Sequence, residues 1–279
     1  MKLEKEIAII NGLQRLISNS TSHSELLARY EKKILELENP RLSLYFAINV
    51  YDANIGEHER IVLKSKNPKY CYEFALHVDG ADIEALSKVV AESKKPDLCF
   101  LFANNIEGVD IRPLECGVLL SGDAEYNYLF AKWIKIKGAD ILAHEIEVIK
   151  SKNPEYCYLF AANVEGADIE LLEEVVFRSK SPEWCYEFAR HVKGANIDKL
   201  QEVVIESGNP YYCYLFATNV PGADIYRLNK VISKSEEFKK YMTGRLGYDD
   251  DLKLGLLLSE EVAKNQKSKK NQKERKTIN

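Results

Sequence analysis

Residues 153–180 read Asn153-Pro154-Glu155-Tyr156-Cys157-Tyr158-Leu159-Phe160-Ala161-Ala162-Asn163-Val164-Glu165-Gly166-Ala167-Asp168-Ile169, then Glu170 through Lys180. Asn ahead of Pro is a helix start: Asn caps the first amides, and Pro at the first helical position forfeits no hydrogen bond. Tyr156, Cys157, Phe160, Ala161 and Val164 follow at helical spacing and predict a first helix of about three turns. Gly166 is expected to supply the left-handed residue that ends it. Asp168 is a second cap, and Ile169, Leu172, Val175 and Val176 form the apolar face of a second helix. Two short helices and two tight turns fill these 28 residues.

The unit recurs. Phe-Ala pairs stand at Phe46, Phe74, Phe102, Phe130, Phe160, Phe188 and Phe216, in steps of 28, 28, 28, 30, 28 and 28 residues. A fixed period of this size means one helix pair copied in tandem, each copy burying its neighbour's apolar face. The expected fold is therefore all-α, an α-solenoid of seven two-helix repeats over 39–238. Pro40, Pro68, Pro96, Pro154, Pro182 and Pro210 open first helices. The Gly166 column continues as Gly80, Gly108, Gly138, Gly194 and Gly222, with Asp52 in the first copy. Only Asp and Asn fill the Asp168 column: Asn54, Asp82, Asp110, Asp140, Asn196 and Asp224. Ten residues after each Ile comes a Ser (Ser65, Ser93, Ser121, Ser151, Ser179, Ser207, Ser235), expected to admit the next turn or bond back to a carbonyl. Copy four carries two extra residues before Gly138, which should lengthen its first helix or bulge its turn.

Flanking segments are expected to cap the array, since the end units of a solenoid must cover an exposed core face. Leu3, Ile7, Ile10, Leu13, Leu16 and Ile17 predict one helix and Leu26 to Leu37 a second, so 1–38 is an N-terminal cap. Residues 239–263 are expected to form a C-terminal cap and 264–279 a disordered basic tail.

The pattern N-P-x-Y-C-Y-x-F-A-x-N-V-x-G-A-D-I-x-x-L resembles a helical tandem repeat of bacterial and bacteriophage reading frames. The resemblance spans about residues 39–238. It implies an α-solenoid and brings no activity with it. More loosely the unit is similar to HEAT-like and TPR-like helix pairs, which are longer. Copies one and four depart most, having Ser43 and Asn127 where the others have Cys.

Composition narrows the function classes. No apolar run approaches the length of a membrane span, and the start, Met1 to Glu6, lacks the apolar core of a secretory signal. Cys71, Cys99, Cys157, Cys185 and Cys213 share one repeat column; a thiol recurring on one helix face reads as a small buried hydrophobe, while Cys116 stands apart. One Cys per copy makes no tetrahedral metal site, so no metal and no cofactor are expected, and the location is expected to be reducing and cytoplasmic. His23, His58, His77, His144 and His191 are scattered and form no catalytic signature. His58 and His144 occupy a column otherwise held by Leu, as substitutions at a solvent edge or as a polar notch. The chain is not expected to be an enzyme; a HEAT-like repeat enzyme is the least favoured alternative.

Candidate binding residues are the ones that change while the framework holds. One position before each Phe stand Tyr45, Glu73, Leu101, Leu129, Leu159, Glu187 and Leu215; two after it stand Ile48, Leu76, Asn104, Lys132, Ala162, Arg190 and Thr218. They share one helix face and suit a surface that reads a protein partner, or one that drifts in solvent. A second ladder, Tyr72, Phe100, Tyr128, Tyr158, Tyr186 and Tyr214, either packs between copies or sandwiches the bases of single-stranded nucleic acid. A third, Asn49, His77, Asn105, Trp133, Asn163, His191 and Asn219, either braces the turn or holds an extended peptide. Residues 264–279 hold seven basic groups against Glu274, leaving 1–263 with 32 basic and 42 acidic groups, a net of −10. An acidic body points to a protein partner with a basic face, and a basic tail to weak nucleic-acid contact. The resemblance to phage and bacterial repeats implies, for the first case, an inhibitor or adaptor. A nucleic-acid-binding solenoid is the alternative.

Overall fold

The computed structural model describes residues 2–18, 24–236 and 238, and every regular element among them is helical. Two longer helices, α1 (Lys2–Ser18) and α2 (Ser24–Leu37), precede seven pairs of short ones. The pairs are α3 (Pro40–Asn49) with α4 (Ile55–Lys64), α5 (Pro68–His77) with α6 (Ile83–Glu92), and α7 (Pro96–Asn105) with α8 (Ile111–Ser121). There follow α9 (Ala124–Trp133) with α10 (Ile141–Ser151), α11 (Pro154–Asn163) with α12 (Ile169–Arg178), α13 (Pro182–His191) with α14 (Ile197–Glu206), and α15 (Pro210–Asn219) with α16 (Ile225–Ile232). The chain divides into two compact units, Met1–Glu147 and Val148–Asn279, the boundary falling inside α10. Within each unit, first helices pack on first helices and second helices on second helices, the packing of an α-solenoid. The expected C-terminal cap and tail, 239–279, lie outside the described residues.

Local chemistry explains why each helix starts where it does. Asn39, Asn67, Asp123, Asn153, Ser181 and Asn209 accept backbone N–H groups at the starts of first helices. Lys95 is the exception: α7 begins without a side-chain cap. Asn54, Asp82, Asp110, Asp140, Asp168, Asn196 and Asp224 cap every second helix in the same way.

The ends differ from expectation. First helices stop before the Gly, at an extended Val or Ile (Val78, Ile106, Val164, Val192, Val220) whose N–H still bonds to the Phe carbonyl. The Gly lies two residues further on at φ between 69° and 92°, so it turns the chain rather than ending the helix. Asp52 does not take positive φ, so the first copy turns without a left-handed residue. The left-handed residue at a helix end sits instead after the second helix, directly behind the Ser: Lys66, Lys94, Gly122, Lys152, Lys180 and Gly208. The Ser hydroxyl donates to the carbonyl three residues back at 2.6 Å and accepts the N–H two residues ahead, as Ser179 does with Val176 and Ser181. Ser65, Ser93, Ser121, Ser151 and Ser207 do the same.

All seven Phe are buried, and the five column cysteines are fully enclosed. Cys99, Cys157, Cys185 and Cys213 point their thiols at a second-helix carbonyl nine residues back, 3.5–3.8 Å away. Burial pushes the Cys71, Cys99, Cys157 and Cys185 thiols up to about 12, which holds them protonated and unreactive. In α1 and α2, Leu13 and Ile34 join Leu42 and Phe46 in one cluster. Gly12 makes room there, since a Cβ would lie 2.6 Å from the Tyr30 hydroxyl.

A second set of contacts ties copy to copy. In four copies the residue four after the second-helix Ile reaches the next copy and accepts the N–H of its second cap; in copy two that residue is Ser87, which donates to its own Glu84 carbonyl instead. Glu59 accepts from Asp82 at 2.7 Å, Glu115 from Asp140 at 2.6 Å, Glu173 from Asn196 at 2.6 Å and Gln201 from Asp224 at 2.7 Å. Glu31 does this for Asn54 from α2, which makes α2 a surrogate second helix for the first copy. In copy four the two extra residues leave α9 at ten residues and form a 3-10 turn, Lys135–Lys137. The turn bulges and the helix does not grow.

Candidate interaction surface

With Phe at 0° and 100° per residue, the positions one before and two and three after it span about 200° to 300°, opposite the core. The structure puts them in or near solvent. In the first unit Leu76, Leu101 and Asn104 are exposed, and Glu73, Leu129 and Lys132 half-buried. In the second, Arg190 and Thr218 are exposed and Leu159, Glu187 and Leu215 half-buried. Several brace their own helix: Glu73 pairs with His77 at 3.5 Å, Glu187 with His191 at 3.1 Å, and Thr218 donates to the Tyr214 carbonyl at 2.9 Å.

The aromatic ladder sits deeper. Tyr72, Tyr128 and Tyr186 are buried, and Phe100, Tyr158 and Tyr214 half-buried. Five of these rings meet an aromatic of the following copy or segment: Tyr72 on Phe102 at 6.2 Å, Phe100 on Tyr126 at 6.3 Å, Tyr158 on Trp184 at 6.0 Å, Tyr186 on Phe216 at 6.4 Å and Tyr214 on Phe238 at 6.0 Å. Their hydroxyls are engaged too: Asn105 donates to Tyr72 at 2.8 Å, Arg190 to Tyr186 and Lys132 to Tyr128, both at 2.9 Å. Asn49, Asn163 and Asn219 turn back on their own helices and donate to the carbonyl four residues earlier, at 2.7–2.9 Å. These two ladders hold copies and turns in place.

Three features of the surface and its supports were only partly legible in the sequence. The Glu column that links copies was visible as a residue type at a fixed offset, but only contacts reveal its target. His58 and His144 are fully buried, so they are polar notches and not solvent-edge substitutions. They fall in the two copies that lack the column Cys, which was legible and went unconnected. His144 Nδ1 lies 2.8 Å from Asn127 Oδ1, so in copy four a His–Asn pair replaces Leu and Cys. In copy one Ser43 is too short for this, and neither Ser43 Oγ nor His58 Nδ1 has a partner.

The third feature is Trp133. It takes the place of Asn or His in its column and stands 54% exposed. Lys132 Nζ lies 5.1 Å over its ring and 5.4 Å over Tyr128. Lys137, from the inserted turn, reaches the carbonyls of Ala103 at 2.5 Å, Asn104 at 3.2 Å and Ile106 at 3.4 Å, closing the C-terminal end of α7.

On the second-helix side of the first unit a groove of 860 Å³ runs between α6 and α8, with exposed Cys116 and Leu120 along it. Gly117 underlies it, where a Cβ would meet the Cys99 sulfur at 2.9 Å and the Ala91 carbonyl at 3.2 Å. Among the described residues no cluster of three or more His, Cys, Asp or Glu has the arrangement of a metal site, and no helix is long and apolar enough to cross a membrane. No family model, curated protein or solved structure matches the chain.

Proposed function

We propose that this chain is a non-enzymatic helical-repeat scaffold that binds a protein partner through the faces of its first helices. One observation carries the reading: the columns whose residue type changes most from copy to copy lie on a face in or near solvent, while the columns that hold one residue type form core and caps. A repeat frame that holds its geometry while one face varies is suited to reading a surface. The net −10 of residues 1–263 steers it toward a partner with a basic face. Five sealed thiols and an exposed Cys116, all free of disulfides, fit a reducing compartment such as the cytoplasm. The resemblance to repeats of phage and bacterial reading frames extends the reading to an inhibitor or adaptor of a host enzyme.

The test is affinity capture from the native host, comparing wild type with the variant Leu76→Glu/Leu101→Glu by quantitative mass spectrometry. A partner lost with the variant, at unchanged circular dichroism, supports the reading; capture indifferent to the two charges defeats it. The alternative is a nucleic-acid binder. Submicromolar, salt-dependent binding of single-stranded DNA or RNA at physiological ionic strength would put it first.

A further inference from the structure

Trp133 is not needed by the fold. Its column is filled by Asn or His in the six other copies, and those copies form the same helix pair. In copy four an indole stands more than half in water at the end of α9, directly before the 3-10 turn built by the insertion. The inserted Lys137 fastens that turn to the end of α7, so the indole is mounted on a braced support. Exposed Leu101 and half-buried Leu129 occupy the same outward column of α7 and α9, and Leu129 stands one helical turn before Trp133.

Charge completes the picture. An ammonium has three N–H donors. Lys132 Nζ gives one to the Tyr128 hydroxyl and is held over two rings; no carboxylate among the described residues pairs with it. Two donors on a fixed, partly desolvated cation remain unfilled beside an exposed indole. Exposed Trp with a neighbouring cation and an apolar surround is the composition of an interface anchor.

We propose that Trp133 and Lys132 form the central anchor of the partner-binding face and take a polypeptide segment in which a carboxylate lies next to a large apolar side chain. The apolar group covers the indole and the carboxylate takes the open donors of Lys132. This rests on the first-helix reading above and names the chemistry recognised at one point of it. The partner's basic surface governs long-range approach, and this acidic–apolar element selects the seat.

The test is selection of a random-peptide display library on the full chain, counter-selected against Trp133→Ala, with the consensus peptide then titrated by fluorescence anisotropy. Both residues are at the surface, so Trp133→Ala and Lys132→Glu should keep the wild-type circular dichroism and melting temperature. The expected consensus places Asp or Glu within three residues of an aromatic or large aliphatic residue. Its affinity should fall at least about tenfold in each variant, as interface anchors do. Peptides that bind Trp133→Ala as well as wild type, or a consensus without an acidic residue, overturn the anchor; if Leu76→Glu/Leu101→Glu then abolishes their binding, the wider reading stands. A selection that enriches nothing on wild type overturns the anchor, and a host capture equally blind to Leu76→Glu/Leu101→Glu defeats the wider reading. Submicromolar binding of a fifteen-residue oligothymidylate that is lost in Trp133→Ala assigns the site to nucleic acid and overturns the proposal.

Discussion

Lys66, Lys94, Lys152 and Lys180 hold φ between 51° and 56°, a conformation in which a Cβ crowds the following carbonyl. Gly122 and Gly208 occupy the same turn position at φ 65° without that conflict. Lys94→Gly should therefore stabilise the first unit by about 1 kcal/mol, seen as a small rise in melting temperature. Gly208→Ala should do the reverse; nothing lies within 4 Å of the added methyl, so its whole effect is backbone strain. A fall in melting temperature for Lys94→Gly would show the lysines are held by something stronger than that strain. His144 gives a prediction in pH. Asn127 donates to the Asp123 carbonyl at 2.7 Å, which turns its Oδ1 to His144 and fixes the imidazole proton on Nδ1. Nε2 then has no partner, and burial drives the pKa down to about 4. The native state keeps the ring neutral where the unfolded chain binds a proton, so stability is complete above about pH 6.5 and falls as pH drops toward about 4. Glu115 works in the opposite sense: its carboxylate stands 3.4 Å from Nε2, and burial raises its own pKa. Glu115 therefore offsets part of the acid loss, which stays below the roughly 3 kcal/mol that the His shift alone would carry. The double variant Asn127→Cys/His144→Leu, which copies the pair used elsewhere, should show a smaller drop in melting temperature between pH 7 and 4. An equal drop would mean that another group titrates.

At the scale of the helix, the capping rule was almost entirely legible and its one breach is informative. Six first helices have a side-chain cap and α7 does not, because Lys95 stands at its start and offers no acceptor. Lys95→Asn should add about 1 kcal/mol, measurable as increased protection of the Leu98 and Cys99 amides in hydrogen exchange. No gain in protection would mean that α7 is held by packing alone. Helix starts, lengths and buried faces could be read from Asn-Pro, Asp-Ile and the Phe-Ala frame, since these obey local chemistry. Ends were harder. Gly166 and its equivalents looked like helix terminators, yet an extended Val intervenes and the Gly serves the turn beyond. The left-handed role at the second-helix end fell mostly to Lys, a residue no propensity rule selects. For the surface, the changing columns could be listed from the repeat alignment, but their exposure and the companionship of Lys132 with Trp133 depend on neighbours from outside the repeat frame. The two-residue insertion was expected either to lengthen the helix or to bulge its turn, and only the structure decides for the bulge; that it carries Lys137 back to the carbonyls of α7 is a tertiary fact with no signal along the chain.

For the whole molecule, the links between copies make modularity testable at the level of atoms. Removing Ser181 to Gly208 deletes one 28-residue period from the second unit. The backbone and ring links that span the cut then find equivalent partners; the exposed Lys180–Glu206 pair is lost, since Lys234 arrives in place of Glu206. Ser179 Oγ, which accepts the Ser181 N–H at 3.2 Å, would meet the N–H of Asn209, held at 3.1 Å by Ser207 in the intact chain. Glu173 would exchange the N–H of Asn196 for that of Asp224, now held by Gln201. Tyr158 would trade the Trp184 ring for Tyr212, the residue two after the first-helix Pro in the next copy. Left-handed Lys180 would precede Asn209 as it now precedes Ser181, leaving the turn unchanged. Because neighbours interact only with neighbours, the cost is one copy's share of stability and none of the remaining interfaces. The shortened chain should keep the helical circular dichroism per residue of the parent and a cooperative, somewhat lower melting transition. The same deletion displaced by half a period, Gly194 to Pro221, also removes 28 residues but cuts within a helix pair; it joins Lys193 to Gly222 and restores the same sequence register. Both deletions should therefore fold alike. If only the first folds, the helix pair beginning at Asn-Pro is the indivisible unit; if neither does, contacts beyond nearest neighbours hold the second unit together, and the modular account fails.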